Sequence, residues 1–152
     1  MAPILLAALL LQAPEPGTYK LVKEESDDVK KAIEKVVSRM SFLTRGVARS
    51  RLEAKCIVYP SVTISKQGKI YRIELEKGST VVAEPGGPAQ PWTAADGETV
   101  QIRLLPDFRE VIESKDGQRE NAFSRQGDRL ILKARLTSSR LPAPIEYKLV
   151  YR

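Results

Sequence analysis

The sequence predicts a mainly β fold: a closed antiparallel up-and-down β-barrel of about eight to ten strands, with an amphipathic helical segment after the first strand. Two observations carry this prediction. Short stretches of alternating apolar residues recur at a spacing of roughly ten residues, with glycine-containing turns between them. A single stretch near the N-terminus has helical spacing instead. Because a meander must hide its edge strands, closure into a barrel is the simplest arrangement, and a sandwich with a flanking helix is the alternative.

Length and composition limit the function before any motif is considered. The chain has 152 residues, enough for one domain, and it contains no histidine and a single cysteine, Cys56. Histidine-dependent triads, histidine metal sites and an internal disulfide are therefore excluded. No cofactor and no metal are expected. The formal charge of +6 favours anionic partners, or serves solubility alone.

Residues 1–13 are predicted to be a signal peptide or N-terminal apolar segment, ahead of a barrel domain at residues 14–152. The run from Pro3 to Leu11 is apolar and too short to span a bilayer, which is typical of the core of a secretory signal. A hydrophobic first helix or a tether is the alternative. A signal would export the protein to a bacterial periplasm or the extracellular space, and the unpaired cysteine favours the periplasm.

Residues 18–22 alternate as a first strand does, and a helix start follows them. Ser26 is the expected N-cap, with two acidic residues in the first turn. An apolar stripe then continues at helical spacing through Val29, Ile33, Val36, Val37 and Met40. The stripe either extends through Leu43 and Val47, or ends where Ser41 caps a second short helix. About 25 residues here are expected to be helical.

From Cys56 onward the apolar residues alternate with period two, and Pro60 indicates a bulge or an edge position. Residues 84–91, rich in proline and glycine, are predicted to form a loop. The predicted strands of the meander lie at residues 58–64, 69–75, 100–104, 108–114, 118–125, 130–137 and 145–152.

Several segments resemble the fatty-acid-binding branch of the calycin superfamily, to which the lipocalins also belong. Residues 17–22, Gly-Thr-Tyr-Lys-Leu-Val, resemble that family's opening Gly-Thr-Trp-Lys-Leu-Val. The amphipathic helix after Ser26 is similar to its helical lid. Further segments resemble its second strand, its late hairpins and its closing strand: residues 62–68, 116–118, 129–132 and 146–152. The segments occur in the family's order over most of residues 17–152.

The resemblance implies a lipocalin-like barrel that carries a small hydrophobic or amphipathic ligand without catalysis. With the predicted signal at residues 1–13, it would be an exported bacterial member. The family's closing strand holds an Arg-x-Tyr pair that binds a ligand carboxylate. Here Tyr151 occupies the tyrosine place, but Leu149 stands where the arginine belongs. An acidic ligand would therefore need another arginine. The alternative from a different class is a ligand-free structural or protein-interaction barrel in the periplasm.

Strand alternation places the candidate ligand contacts on shared faces. Phe123 shares a face with Arg119, Asn121 and Arg125, so an inward Phe123 brings both arginines inside, where a bound anion would compensate their charge. The alternative is that Phe123 points outward, or that the arginines lie at the rim in water. Arg125 is the predicted partner of an acidic head group, with a second hydrogen bond from Tyr151 or Tyr147. Four tyrosines are predicted to line the cavity and offer hydroxyls: Tyr19, Tyr71, Tyr147 and Tyr151.

Basic residues of the helical segment are predicted to contact an anionic membrane transiently: Lys30, Lys31, Lys35 and Arg39. A plain solvated helix face is the alternative. Nucleic acid is not an expected partner, because no aromatic residues interleave with the basic ones. Enzymatic activity is not expected, since Glu110 and Glu113 fall on opposite faces of one strand and cannot act there as a pair. A monomer is expected.

Overall fold

The computed structural model describes residues 13–94 and 97–152. The apolar run of the predicted signal peptide, residues 3–11, lies outside them. Within the described residues, ten β-strands form two antiparallel sheets, and two α-helices lie between the first and second strands. None of the helices in this part of the chain has the length and apolar character to cross a bilayer. The predicted mainly β fold, with a helical segment after the first strand, is confirmed.

The helical segment consists of two helices, α1 (Val29–Val37) and α2 (Phe42–Lys55). Asp28 caps α1 and Ser41 caps α2, and in each case the side-chain oxygen accepts a hydrogen bond from a backbone amide of the first turn. Of the two possibilities left open by the sequence, the second helix capped by Ser41 is the one observed.

Ser26 is not the N-cap that the sequence predicts. Its hydroxyl accepts a hydrogen bond from the amide of Val150 at 2.9 Å and donates one to the carbonyl of Val22 at 2.9 Å. The amide of Asp27 donates to the carbonyl of Lys148 at 2.8 Å. Residues 26 and 27 therefore form hydrogen bonds with the last strand, and the helix begins at Val29, after them.

Each sheet is antiparallel throughout. The first sheet has the order β1-β2-β3-β4, with bounds β1 (Gly17–Lys20), β2 (Ser61–Gln67), β3 (Ile70–Leu75) and β4 (Thr80–Ala83). The second has the order β10-β9-β8-β7-β6-β5, with bounds β5 (Gln90–Thr93), β6 (Thr99–Leu104), β7 (Arg109–Glu113), β8 (Gln118–Gln126), β9 (Arg129–Thr137) and β10 (Ile145–Tyr151). Strands β4 and β5 are additional to the predicted ones, and β5 begins inside the predicted loop.

The two sheets join on one side through their first and last strands. The amide of Lys20 donates to the carbonyl of Arg152 at 2.9 Å, and the reverse bond measures 2.8 Å. On the other side, β4 and β5 do not pair, and the sheets are linked there by bonds such as that from the amide of Gly86 to the carbonyl of Leu104 at 2.8 Å. The ring of hydrogen bonds expected of a fully closed barrel is thus present at one junction and interrupted at the other.

The space between the sheets is packed with apolar side chains. Ile64 and Ile73 of the first sheet and Leu132 and Leu149 of the second are at most 1% exposed. Helix α1 buries Ile33 in the same core and contacts β10. Each fully buried side chain of this kind stabilises the fold by about 1.5–3 kcal/mol relative to an exposed one.

Candidate ligand-binding site

Strand β8 positions most of the candidate site. Phe123 lies opposite Leu132 of β9 and is 1% exposed, so this face of β8 is the interior face. Alternation places Arg119 and Asn121 on the same face. Tyr147 of β10 shares that face too, because the same residue of β9 lies between it and Asn121. The inward orientation of Phe123, one of the two possibilities from the sequence, is the one observed.

Arg119 is a half-buried cationic group on this face. Its Nη2 donates to the hydroxyl of Tyr147 at 2.8 Å, and its Nε donates to Oδ1 of Asn121 at 3.2 Å. Its Nη1 donates to the carbonyl of Lys55, the last residue of α2, at 2.7 Å. The guanidinium carbon lies 5.3 Å from the ring centre of Tyr59. All these partners are neutral, and Arg119 forms no ion pair with any described residue.

Glu110 of β7 lies opposite Asn121 and is completely buried. Its Oε1 accepts hydrogen bonds from the amide of Asn121 at 3.0 Å and the hydroxyl of Ser79 at 3.3 Å, whereas its Oε2 has no hydrogen-bond partner in the described part of the chain. Burial raises the pKa of Glu110 to about 7, although the hydrogen bond from Asn121 and the charge of Arg119 act to lower it. Asn121 therefore links Arg119 to Glu110. We call these residues the polar cluster: Ser79, Glu110, Arg119, Asn121 and Tyr147.

Two tyrosines of β10 direct their hydroxyls at main-chain carbonyls. Tyr147 donates to the carbonyl of Ile57 at 3.2 Å, and Tyr151 donates to the carbonyl of Tyr59 at 2.9 Å. Burial raises the pKa of both hydroxyls. Both tyrosines therefore remain neutral and keep their proton for donation at physiological pH.

Arg125 lies near the other end of β8, roughly 20 Å along the strand from Arg119. Its guanidinium forms an ion pair with the carboxylate of Glu15, and its Nε is buried without a hydrogen-bond partner among the described residues. The hydroxyl of Tyr19 donates to the carbonyl of Glu15 at 2.7 Å. The arginine beside Tyr147 is Arg119, whereas Arg125 lies on the same face as Tyr151, because Leu130 of β9 is opposite both. The head-group role of Arg125 stays a prediction.

Tyr71 lies on β3, in the facing sheet. Its buried ring packs edge-to-face against Phe108 with the ring centres 5.0 Å apart, and the ammonium of Lys66 lies 5.2 Å from the ring. The structure thus brings Arg119 into contact with one predicted tyrosine and places the other predicted contacts elsewhere on the interior walls or at the end of β8: Phe123, Tyr151, Tyr71 and Arg125.

Part of the polar cluster is absent from the sequence-based prediction: Ser79, Glu110 and Asn121. Alternation already places Asn121 on the face of Phe123, but no role was predicted for it there. Glu110 could have followed, since the turn at Gly117 sets the hairpin register that places it opposite Asn121. For Ser79 the sequence carries no signal, because it reaches the cluster from a turn of the other sheet.

The arrangement suits binding better than bond-making chemistry. A groove of about 520 Å³ crosses the outer face of β8, β9 and β10, lined by charged side chains such as Glu120, Lys133 and Lys148. On the interior face behind it, Phe123, Leu132 and Tyr147 are at most 3% exposed. The described residues include no acidic or cysteine cluster that could hold a metal ion. The interior offers hydrogen-bond donors and a fixed cation, and a ligand would have to displace protein groups to reach them.

The surface of the helices combines charge with exposed apolar side chains. The basic residues predicted to contact a membrane are all exposed, on α1 or just after it: Lys30, Lys31, Lys35 and Arg39. In α2, Phe42 is 84% exposed, Leu43 86% and Val47 58%. The apolar stripe predicted as a continuation of the core therefore points to solvent in α2. Exposed apolar residues beside basic ones are typical of a membrane-facing surface.

No family model matches the sequence, and no curated protein matches it. Solved structures do match the fold over 90% of this chain. The fatty acid transporter REP1-NXSQ has a TM-score of 0.57 at 12% identity over 93% of its chain. Fatty-acid-binding protein 1 of Echinococcus granulosus has a TM-score of 0.53 at 17% identity over 94% of its chain. The Schistosoma mansoni fatty-acid-binding protein, in complex with arachidonic acid, has a TM-score of 0.52 at 16% identity over 93% of its chain.

These identities are low, so the likeness concerns the fold. It covers 90% of this chain. The predicted resemblance is confirmed at that level: the chain shares the fold of these fatty-acid-binding and fatty-acid-transporting proteins.

Proposed function

We propose that this protein reversibly binds a small amphipathic acid between its two sheets, without catalysis. The head group contacts Arg119 and Tyr147. The apolar tail lies along the interior walls, where Phe123, Tyr71 and Tyr151 line its path. Export by way of residues 1–13, and a monomeric state, stay predictions.

The observation that carries the proposal is a half-buried cation, Arg119, whose hydrogen bonds all go to neutral groups. Removing a guanidinium from water costs several kcal/mol unless a negative group compensates it. Glu110 does so incompletely, because its raised pKa leaves it partly protonated near neutral pH and Asn121 lies between it and Arg119. A carboxylate fits the N–H fork of an arginine, and the hydroxyl of Tyr147 supplies a further donor.

The shared fold supports the apolar part of the ligand. The matched structures are described as fatty-acid-binding or fatty-acid-transporting proteins, and one holds arachidonic acid. This supports a hydrophobic tail, whereas the acidic head group rests on Arg119 in this chain.

Arg119→Gln is expected to weaken binding of cis-parinaric acid, a fluorescent fatty acid, at least tenfold, or about 1.4 kcal/mol. The glutamine keeps a donor for the carbonyl of Lys55 but removes the charge that attracts the carboxylate. Binding of the methyl ester of the same acid is expected to change little, because the ester has no charge to lose. Fluorescence titration with each probe measures both affinities.

Arg135→Gln is the matched control, because Arg135 lies on the outer side of β9 and is half exposed beside Glu146. It should leave both affinities unchanged. Equal losses for the acid and the ester in Arg119→Gln, or no loss for either, would refute the head-group assignment. A loss confined to the acid in Arg125→Ala would place the head group at the Glu15 end of β8 instead.

A ligand-free protein is the alternative function, and one observation favours it: the chain itself satisfies most of the interior polar groups. Native mass spectrometry of protein purified from its host separates the two. A co-purified lipid mass supports the carrier. Bare protein that also fails to bind the fluorescent acid supports a structural or interaction role.

Transient contact with an anionic membrane belongs to the same proposal, because a membrane is a source from which a carrier can collect an amphipathic ligand. The exposed Phe42 and Leu43 would enter the lipid interface. The basic residues around α1 would approach the phosphate layer. Contacts of the apolar kind contribute about 1.5–3 kcal/mol per side chain, and each basic residue up to about 1 kcal/mol.

Exchanging Phe42 and Leu43 together for serine is expected to reduce binding to phosphatidylserine vesicles more than tenfold at low salt. Reversing the charge of Lys30, Lys31 and Lys35 should weaken binding less, and added salt should remove that difference. Co-sedimentation with vesicles measures both effects. Ile70→Ser, at an exposed position of β3, is the control. Unaltered vesicle binding in the helix variants would exclude this surface.

A further inference from the structure

The end of α2 and the segment that follows it lie against the interior donors of the second sheet. This stretch consists of Lys55, the last residue of α2, and of residues 56–60, which lead to β2 without pairing as a strand. Three alternating carbonyls of this stretch accept side-chain hydrogen bonds. The pairs are Arg119 to Lys55 at 2.7 Å, Tyr147 to Ile57 at 3.2 Å and Tyr151 to Tyr59 at 2.9 Å. The carbonyls of residues 55, 57 and 59 therefore all face these donors.

The side chains of this stretch are also buried against the rest of the protein. Cys56 is 4% exposed and Tyr59 is 2% exposed. The ring of Tyr59 lies against Gly78, where an added Cβ would overlap Cε1 of the ring and lie 2.9 Å from Cδ1. Gly78 is therefore a position at which the stretch can be disturbed while Arg119 and Tyr147 stay unchanged.

We propose that residues 55–60 form a displaceable strap, which takes the place of the ligand head group when no ligand is bound. The inference rests on the proposed function, because the strap competes for two donors, Arg119 and Tyr147, that the head group needs. Ligand entry exchanges a neutral carbonyl for an ionised acceptor, which binds a guanidinium more strongly. The exchange also frees the C-terminal end of α2, so binding and opening of the helical end are one event.

Cys56 reports the position of the strap. It is the single cysteine of the chain and lies buried within the strap. Burial raises the pKa of its thiol to about 11, and alkylating reagents need the thiolate. Labelling is therefore slow with the strap in place and faster when it is released.

The experiment measures labelling of Cys56 by iodoacetamide in the full chain, with and without saturating cis-parinaric acid. We expect the probe to accelerate labelling at least threefold. This direction separates strap release from global unfolding, because a ligand that binds the folded state slows any labelling that requires unfolding.

Two variants test the strap without a ligand. Gly78→Ala is expected to accelerate labelling at least threefold, since its methyl group displaces the ring of Tyr59. Gly46→Ala on α2 is the matched control, because nothing lies within 4 Å of its added methyl group. Tyr151→Phe removes one strap hydrogen bond and serves as a second variant if Gly78→Ala does not fold.

Probe binding with faster labelling supports the strap. Probe binding with unchanged or slower labelling overturns it and leaves the proposed function intact. Binding of the probe only to Gly78→Ala or Tyr151→Phe also supports the strap, because the strap then blocks the site of the natural chain. Absence of binding in every variant overturns the proposed function, and the strap with it.

Discussion

Replacing Phe123 with alanine is expected to lower the free energy of unfolding by about 3–5 kcal/mol. The ring is 1% exposed and lies opposite Leu132 on the interior face of β8. Its removal loses the transfer free energy of the ring and leaves a void that the two sheets cannot fully close. Urea unfolding followed by circular dichroism measures the change.

Phe42→Ala is the matched control, since the same atoms are removed from a side chain that is 84% exposed. It should change the free energy of unfolding by less than about 0.5 kcal/mol. Similar losses in the two variants would mean that Phe123 does not belong to the core. The void in Phe123→Ala also lies beside the proposed tail path, so an effect of this variant on probe affinity is expected.

Stability is expected to fall by about 3 kcal/mol as the pH rises from about 4.5 to 7, through Glu110 alone. Burial raises the pKa of Glu110 from 4.5 to about 7 in the folded chain. Between these values the folded state holds a proton that the unfolded chain has released. The folded state therefore binds more protons there, and its stability declines as the pH increases.

Glu110→Gln is expected to remove this decline, because the amide keeps the shape of the side chain and does not titrate. The difference in unfolding free energy between Glu110→Gln and the natural chain should thus shift in favour of the variant between pH 4.5 and pH 7.5. Glu113→Gln, at the exposed end of the same strand, should leave the pH profile of the natural chain unaltered. Parallel pH profiles for Glu110→Gln and the natural chain would contradict the burial of an ionisable Glu110.

The fold was predictable where local patterns agree with the final structure. Strands β8 and β9 alternate along their length between turn residues, and both appear close to their predicted bounds. Strands β4 and β5 are only four residues long, too short to show a period, and Pro91 within β5 obscures its character. The prediction of Ser26 as the N-cap was wrong. A serine near a helix start can equally well form a hydrogen bond with another strand, as Ser26 does with Val150.

The site was predictable only as far as one strand determines it. Alternation around Phe123 identifies Arg119 as an interior residue once the face is known. What Arg119 binds could not be predicted, because one partner is the carbonyl of Lys55, 64 residues away in sequence. Every residue carries a carbonyl, so the sequence gives no sign of which one a distant guanidinium will meet. The burial of Glu110 could not be predicted either. Val111, on the other face of β7, is also buried, so alternation does not show which face is interior.

The junction between β1 and β10 also governs the order in which this chain can fold. Lys20 pairs with Arg152, and the stretch before α1 bonds to Lys148 and Val150. Both contacts join opposite ends of the sequence, so forming them early would close a very long loop at high entropic cost. The local hairpins β6–β7 and β8–β9 meet no such barrier. The helices should therefore dock last, and a chain arrested before β10 is made would hold a formed second-sheet meander with the helical end still open.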